Sequence, residues 1–182
     1  DSAYLADYVI KQKINVIKST PSYLDAMLLE SLDFINYCRS NQITIIIGGE
    51  KVASTIIDKL KPLSLDGALK LFNHYGPTEI TVGNSVCRIS ADNLWEKFYI
   101  NPLIGISLDN YTSYILDTSL NPLPIGTVGE LYIGGAGLAR GDLNVPALTT
   151  EKFIANPFQT KAEKQQNRNG RLYKTGDLAR YM

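Results

Sequence analysis

The sequence has few of the residues from which metal sites and disulfide frameworks are built. Its 182 residues include two cysteines and one histidine. Cys38 and Cys87 stand far apart, without the close spacing that zinc sites use. This spacing predicts reduced, partly buried thiols in a cytoplasmic protein, and a disulfide between the two cysteines is the less favoured alternative.

Net charge and long apolar runs are absent as well. The sequence has 18 Lys and Arg against 18 Asp and Glu, so its formal net charge is +0. No long-range field would recruit nucleic acid or an anionic membrane. The longest apolar stretch, residues 43–47, is far too short to cross a bilayer. We therefore expect neither nucleic acid nor membrane as a partner, and the 45% hydrophobic composition is that of a globular protein.

The ends of the chain predict that it is a piece of a longer protein. Asp1 is not a natural start, and no signal-like segment opens the sequence. The patterned stretch from Leu172 to Met182 continues to the last residue without a tail. We expect further segments on both sides.

Hydrophobic periodicity in the first half predicts helices alternating with strands. The predicted strands are apolar throughout, which favours a parallel sheet covered by helices on both faces. The predicted helices cover residues 4–12, the stretch from Pro21 to Leu32, and residues 53–60, and the predicted strands cover residues 14–17, 43–47 and 69–72.

The second half has a different pattern. Strands are predicted at residues 112–117 and 129–134, with a turn-rich connection between them. We expect a small antiparallel barrel or sandwich, and a division into an α/β part at residues 1–85 and a mostly antiparallel β part at residues 86–182. A short helix is predicted at residues 146–154, and the polar residues 161–171 are predicted to form a mobile surface loop.

Chemically unusual residues follow the three strands predicted in the first half. The first strand ends at Lys18, the second at Gly48-Gly49-Glu50, and the third at the run from Asn73 to Glu79. In a parallel α/β sheet, ligands bind beyond the carboxyl ends of the strands, so these residues predict one crevice. Taken singly, each also has a plain reading as a surface lysine, a tight turn or a structural histidine.

Four motifs in a fixed order give these residues a common meaning. The run NHYGPTE at residues 73–79 resembles the N-x-Y-G-P-T-E motif of adenylate-forming enzymes. Residues 129–143 resemble that family's G-E-L-x-I-x-G-x-G-L-A-R-G-Y-L motif, except that Asp142 stands where tyrosine is usual. YKTGDL at residues 173–178 and GGE at residues 48–50 also match. The chain thus resembles part of an adenylation domain of a nonribosomal peptide synthetase, and its L-A-R-G form is closer to these than to acyl-CoA ligases.

The resemblance implies an ATP-dependent, AMP-forming ligase. Such domains join an amino acid to ATP with Mg²⁺, release pyrophosphate, and pass the acyl group to a phosphopantetheine thiol on a carrier domain. By similarity, Thr78 would face the α-phosphate and Glu79 would hold Mg²⁺ as the catalytic residues. The implied cofactor-binding residues are Tyr75 on adenine, Asn73 at its amino edge, Asp177 on the ribose hydroxyls, and Gly49, Glu50 and Gly76 around them.

Two parts of the family pattern do not occur in this sequence. The phosphate loop rich in Ser, Thr and Gly would precede Asp1, and the C-terminal subdomain with its catalytic lysine would follow Met182. We therefore expect the 182-residue piece to be inactive alone. In the parent protein, a carrier domain and a condensation domain are implied as partners in cis.

Alignment on the motifs also predicts the amino-acid pocket. A lysine and a histidine are unusual in pockets that are mostly apolar, and together they resemble the pattern of aspartate-selecting domains. We expect L-aspartate as substrate, with asparagine second. The implied pocket residues are Lys18, Ile46, Gly48, His74, Val82 and Gly83.

Two other readings remain open. An acyl- or aryl-acid:CoA ligase of the same superfamily would have an apolar tunnel in place of Lys18 and His74. A non-catalytic nucleotide-binding module would belong to a parent chain that lacks the phosphate loop and the C-terminal lysine. The flanking sequence would distinguish both from an amino-acid-activating enzyme.

Overall fold

A computed structural model describes residues 1–65, 67–89 and 102–182 of the chain. The chain forms two compact units that interleave in sequence. Unit 1 comprises Asp1–Tyr75 and Ser85–Ile106, and unit 2 comprises Gly76–Asn84 and Ser107–Met182. The predicted division of this chain into residues 1–85 and 86–182 stays a prediction.

The described residues of unit 1 form four helices, of which the second is shorter than predicted. They are α1 (Ser2–Lys11), α2 (Pro21–Glu30), α3 (Leu32–Ser40) and α4 (Ser54–Leu65). Ser31 divides the stretch that was expected to be one helix from Pro21 to Leu32, because its hydroxyl accepts a hydrogen bond from the Phe34 amide at 3.1 Å and begins α3. In the part of the chain that the structure describes, no helix is long and apolar enough to cross a membrane.

The sheet of unit 1 is mixed. Its strands are β1 (Val16–Ser19), β2 (Ile43–Gly48), β3 (Leu69–Tyr75), β4 (Ser85–Ile89) and β5 (Ile106–Ser107), in that spatial order. The predicted parallel pairing is confirmed for β1, β2 and β3, whereas β4 runs antiparallel to β3. The reason is the short connection over residues 76–84, because a parallel return needs a crossover of a dozen or more residues.

The helices of unit 1 cover one face of this sheet. Along β2, Ile43, Ile45 and Ile47 are fully buried, whereas Thr44, Ile46 and Gly48 between them are half-buried. Buried side chains from all four helices join the former set in one apolar cluster. Among the described residues of unit 1, the helices pack on this face, and the other face carries half-buried and exposed side chains.

Unit 2 is built on an open antiparallel sheet. Its strands are β6 (Tyr111–Leu116), β7 (Gly129–Gly135), β8 (Phe153–Ala155) and β9 (Arg171–Ala179), in the spatial order β6-β7-β9-β8. The predicted antiparallel character is confirmed. Within the described ranges no ladder joins β6 to β8, so the sheet does not close into a barrel.

Two short helices accompany this sheet, α5 (Pro146–Lys152) and α6 (Lys161–Gln165). The second one corrects the expectation that residues 161–171 form a loop throughout. Thr160 accepts a hydrogen bond from the Glu163 amide at 3.2 Å, and the Glu163 carboxylate accepts one from the Thr160 amide at 2.7 Å. This reciprocal capping box is visible in the sequence as T-x-x-E, and it fixes the first turn of α6.

Both cysteines are free thiols, as predicted. Cys38 is fully buried in the core of unit 1, and burial raises its pKa to about 12. Burial also raises the pKa of Cys87, which is half-buried. Because the thiolate is the reactive form, both side chains are chemically quiet near neutral pH.

Truncation of the Phe34 side chain should cause a large loss of stability, because its ring lies in the core of unit 1. Phe34 is 0% exposed in the apolar cluster of unit 1. Phe34→Ala should lower the free energy of unfolding by about 3–5 kcal/mol, because it removes a buried ring and leaves a cavity. Urea unfolding of the protein that contains this segment measures the loss.

A matched control is Tyr4→Ala on α1, whose aromatic side chain is 71% exposed. That change should stay within about 0.5 kcal/mol. Equal losses for the two variants would contradict the core that is described for unit 1.

Candidate functional site

Four of the predicted pocket residues lie on one face of the unit 1 sheet. The ladder pairs Lys18 with Ile46, and it pairs Gly48 with His74. Paired residues on parallel strands point to the same side, and so do Ile46 and Gly48, which are two positions apart on one strand. All four therefore share the face opposite the helices. The other two predicted members, Val82 and Gly83, belong to unit 2.

This face carries positive charge that no carboxylate offsets within the described residues. Lys18 is exposed and His74 is half-buried. Burial lowers the pKa of His74, and the nearby charge of Lys18 lowers it further. The ion pairs found within the described residues join Lys59 to Asp25 and Lys174 to Glu130, and neither involves Lys18 or His74. Two basic groups on one sheet face, close enough for the charge of one to act on the pKa of the other, form a natural partner for an anionic ligand.

The close pairing of β2 with β3 requires a glycine at position 48. The missing side chain also leaves room on this sheet face. A Cβ atom at this position would lie 2.2 Å from the carbonyl oxygen of His74, on the neighbouring strand. That distance is far inside van der Waals contact, so any side chain would push β3 away from β2. The glycine allows the two strands to pair closely where His74 is displayed.

Asn73 and Tyr75 lie within β3, whereas the sequence had predicted that they follow its end. The strand continues through Tyr75 because β4 pairs with it, placing Asn73 opposite Cys87 and Tyr75 opposite Ser85. Alternation puts both residues on the opposite face from His74. Asn73 is buried, and its Nδ2 donates to the carbonyl oxygen of Leu103 at 2.8 Å.

The motif residues Gly76, Thr78 and Glu79 form part of a closed loop over residues 76–84 of unit 2. A Cβ on Gly76 would lie 2.3 Å from the Cα of Gly83, so the two ends of the loop touch. A turn of 3₁₀ helix spans Thr78–Ile80. Val82 follows with a φ of 74°, which is a strained conformation for a β-branched residue, and its side chain is 60% exposed.

The second motif holds the 76–84 loop by its backbone. This explains in physical terms why the two motifs occur together: residues 137 and 139 supply two of the groups to which the loop is bound, and Tyr111 on β6 supplies the third. The hydrogen bonds run from Ala139 N to Glu79 O (2.7 Å), from Thr81 Oγ1 to Gly137 O (2.7 Å), and from Tyr111 Oη to Ile80 O (2.9 Å). The loop is therefore fixed at three consecutive residues, which limits the freedom of Glu79.

One phenol in unit 2, that of Tyr173, lies within electrostatic range of three carboxylates. Burial and the negative charges of Glu79, Asp142 and Asp177 raise the pKa of Tyr173 to about 12, and Tyr173 also hydrogen-bonds Glu79. The structure thus brings together Glu79 of the first motif and Asp177 of the last, near a tyrosine to which the sequence had assigned no role. The signal for Tyr173 was its place in the YKTGDL motif.

Asp142 adds a carboxylate where the family usually has tyrosine. One of its oxygens, Oδ2, is buried and has no hydrogen-bond partner within the described ranges. Its backbone amide donates to the Thr149 hydroxyl at 2.8 Å. Nothing else in the described part of unit 2 explains why an acid replaces the tyrosine here.

The donor set of unit 2 fits a magnesium ion that arrives with phosphates. Within the described residues, no group of three or more His, Cys, Asp and Glu side chains could hold a metal ion. Mg²⁺ is commonly bound by one or two carboxylates together with substrate phosphates and water, and not by a full protein cage. A single carboxylate such as Glu79 satisfies that requirement.

The GGE turn brings the carboxylate of Glu50 to the start of α2. Gly49 has a φ of 84°, in the left-handed region that favours glycine. The Glu50 carboxylate accepts hydrogen bonds from the Ser22 hydroxyl at 2.9 Å and the Ser22 amide at 3.2 Å. These bonds lower the pKa of Glu50. Its expected role as a cofactor contact stays a prediction.

Comparison with known proteins gives the family. Residues 1–141 match the sequence profile of the AMP-binding enzyme family. This match covers more than half of the chain, and the chain belongs to that family. Bacitracin synthase 2 of Bacillus licheniformis is 39% identical over 179 residues, and malpinin synthetase of Mortierella alpina is 37% identical over 182 residues.

A solved structure agrees with both the fold and the sequence. Holo-AB3403, a four-domain nonribosomal peptide synthetase bound to AMP and glycine, matches with a TM-score of 0.75 at 34% identity over 100% of this chain. The predicted α/β sheet followed by antiparallel β structure is thereby confirmed, as is the resemblance to peptide synthetase adenylation domains.

The chain is a small part of each of these proteins. It spans 6% of bacitracin synthase 2, 2% of malpinin synthetase and 12% of the AB3403 chain. In each case the chain covers only a small fraction of the relative's length. The segment therefore carries only part of what those proteins contain.

The close approach at Gly48 predicts that Gly48→Ala destabilises unit 1. The added methyl group meets backbone atoms that cannot rotate away, and overpacking of this kind costs about 1–3 kcal/mol. Thermal or urea unfolding of the parent protein measures the change.

Gly170→Ala is the control, because a Cβ there would meet nothing closer than 3.5 Å. It should change stability by no more than about 0.5 kcal/mol. Wild-type stability in Gly48→Ala, with activity lost, would show that the glycine serves only to leave room for substrate.

Proposed function

We propose that this chain is the substrate-selecting and nucleotide-binding segment of an adenylation domain in a nonribosomal peptide synthetase, and that the amino acid activated is L-aspartate. In the reaction, the α-carboxylate attacks the α-phosphorus of ATP, pyrophosphate leaves, and an aminoacyl-AMP remains. The observation that carries the proposal is the sheet face on which Lys18 and His74 stand without a carboxylate within the described ranges.

Charge favours aspartate over other amino acids. Lys18 and His74 repel each other when both are protonated, and the lowered pKa of His74 reflects that repulsion in addition to burial. The β-carboxylate of aspartate would offset both charges and could accept a hydrogen bond from each. Asparagine is the runner-up, since its amide oxygen can accept the same bonds but carries no charge. Family resemblance also assigns Ile46, Gly48, Val82 and Gly83 to the selection of the amino acid.

The remaining site residues would bind the nucleotide. Tyr75 offers an aromatic face to adenine, and Asn73 retains its Oδ1 as an acceptor for the exocyclic amine, since its Nδ2 is bound to Leu103. Asp177 would accept hydrogen bonds from the ribose hydroxyls. Gly49, Glu50 and Gly76 are further candidates for contacts near the nucleotide.

Thr78 and Glu79 would act at the phosphates. Thr78 lies in the 3₁₀ turn of the 76–84 loop and would donate a hydrogen bond to the α-phosphate. Glu79 would hold Mg²⁺, which when bound supplies positive charge to the phosphate oxygens. Catalysis of this kind depends mainly on positioning and on charge offset at phosphorus. The three hydrogen bonds that fix the 76–84 loop support such a positioning role.

The relatives support a setting within a multidomain synthetase. A carrier domain would take the aspartyl group on its phosphopantetheine thiol, and a condensation domain would use it. The two free cysteines support a cytoplasmic location. A CoA ligase of the same superfamily is the second candidate, but a lysine and a histidine on this face argue against an apolar acyl tunnel there.

Amino-acid-dependent exchange of pyrophosphate into ATP by the complete parent protein tests the proposal. Aspartate should support the strongest exchange among the common amino acids. Lys18→Thr should raise the KM for aspartate by about 10- to 100-fold, since it removes a charge-assisted hydrogen bond, and should leave the KM for ATP nearly unchanged.

Lys70→Thr is the matched control, because Lys70 is an exposed lysine on β3 that lies on the same sheet face as His74. It should leave both KM values unchanged. Strong exchange with a hydrophobic amino acid and none with aspartate would overturn the proposed substrate.

The lowered pKa of His74 predicts that aspartate binds more tightly as pH falls. In the free protein the imidazole is mostly neutral at neutral pH, whereas a bound carboxylate favours its protonated form. Binding then takes up a proton, so the KM for aspartate should fall as pH is lowered from about 7.5 to about 5.5, where the substrate carboxylate stays ionised.

His74→Gln keeps a polar side chain and removes the titration, so its KM should vary little over the same range. A wild-type KM that rises as pH falls, or an equal pH dependence in His74→Gln, would contradict this role for His74.

A further inference from the structure

We propose that Glu50 is a positioning residue for the amino-acid pocket: through Ser22 it ties the carboxyl end of β2 to the carboxyl end of β1, and so fixes Lys18 relative to Gly48 and His74. The inference rests on the proposed function, because it concerns how that pocket keeps its shape. It assigns Glu50 a role other than the cofactor contact that family resemblance implies.

The need for a tie follows from the position of β1. It is the edge strand of the unit 1 sheet, four residues long, and within the described residues it is paired on one side only, by β2. The ladder ends where Ser19 pairs with Ile47. Lys18 is the residue before that last pair, so little backbone pairing holds it on the C-terminal side.

The contact between Glu50 and Ser22 lies just beyond the last residue pair of the β1–β2 ladder. Glu50 lies two residues after Gly48, and Ser22 lies four residues after Lys18. Both carboxylate oxygens of Glu50 are used, one by the Ser22 hydroxyl at 2.9 Å and the other by the Ser22 amide at 3.2 Å. The two strand ends are thus joined by a bidentate contact beyond the last ladder pair.

A carboxylate suits the start of α2 for two reasons. The first amides of a helix have no partner inside the helix, and the positive end of the helix dipole favours a negative charge there. Pro21 opens the helix and has no N–H, so the Ser22 amide is the first donor that needs a partner. Hydrogen bonds from Ser22 lower the pKa of Glu50, so the group is charged near neutral pH.

The tie uses both carboxylate oxygens of Glu50. Each oxygen accepts one bond from Ser22, so a nucleotide or a metal ion could use only the lone pairs that remain. Lys18, by contrast, depends on the position of β1 to reach a ligand that His74 also contacts. Loss of the tie should therefore weaken amino-acid binding and leave ATP binding intact, since small displacements of positioning groups have large effects.

The test uses Glu50→Ala, Ser22→Ala and the double variant in the complete parent protein. Pyrophosphate exchange is measured with whichever amino acid gives the strongest exchange, so the result does not depend on aspartate. Glu50→Ala should raise the KM for the amino acid by about tenfold, and Ser22→Ala, which keeps the amide bond to Glu50, should raise it by less. Both should leave the KM for ATP within about twofold, and the double variant should be no worse than Glu50→Ala. Glu50→Gln, which keeps one acceptor oxygen for Ser22, should fall between wild type and Glu50→Ala.

Three results would overturn the proposal. A larger rise in the KM for ATP than for the amino acid would place Glu50 at the nucleotide. Multiplicative effects in the double variant would show that Glu50 and Ser22 act separately.

As the control, Glu151→Ala removes an exposed acid of unit 2 and should change neither KM.

The third result concerns amide hydrogen exchange at Ser22, which needs no activity and should be faster in Glu50→Ala. Unchanged exchange there would refute the tie itself. If no amino acid supports pyrophosphate exchange while amide exchange at Ser22 responds as expected, the tie stands and the proposed function fails.

Discussion

The arrangement of the candidate pocket depends on the parallel pairing of β1, β2 and β3. Pairing of Lys18 with Ile46 and of Gly48 with His74 places four predicted pocket residues on one sheet face. A shift of one residue in either ladder would turn these side chains into the helix-packed core. The fully buried isoleucines of β2 prevent that shift, because a slip would expose them to water. The buried apolar residues on one face therefore set the register that places the polar pocket residues on the other face.

Unit 2 shows a second way to fix a functional group. The 76–84 loop has only one short 3₁₀ turn, and it includes left-handed residues at Thr81 and Val82. Hydrogen bonds from the segment that follows β7 compensate for this irregular backbone. Glycine at position 137 permits the contact, since a Cβ there would overlap the hydroxyl of Tyr111. Two motifs that lie about 60 residues apart in sequence thus work as one structure.

Much of the fold could be predicted from the sequence, because apolar periodicity and turn residues act locally. The strand over residues 43–47 and the alternation of helices with strands required no knowledge of tertiary contacts. The continuation of β3 to Tyr75 did require it, since the strand is extended by pairing with β4. The helix over 161–165 was not predicted, although its capping box is visible in the sequence, because the polar composition of the segment is more typical of a loop. The Glu50–Ser22 contact joins residues 28 positions apart, and no local pattern indicates it.

The proposed choice of aspartate depends on Lys18 and His74 together holding a carboxylate of the substrate. A crystal structure of the complete adenylation domain with a non-hydrolysable aspartyl-adenylate analogue tests it most directly. We expect Lys18 Nζ and a ring nitrogen of His74 each to lie about 2.7–3.2 Å from the β-carboxylate oxygens. A β-carboxylate bound by other residues, with Lys18 turned to solvent, would contradict it.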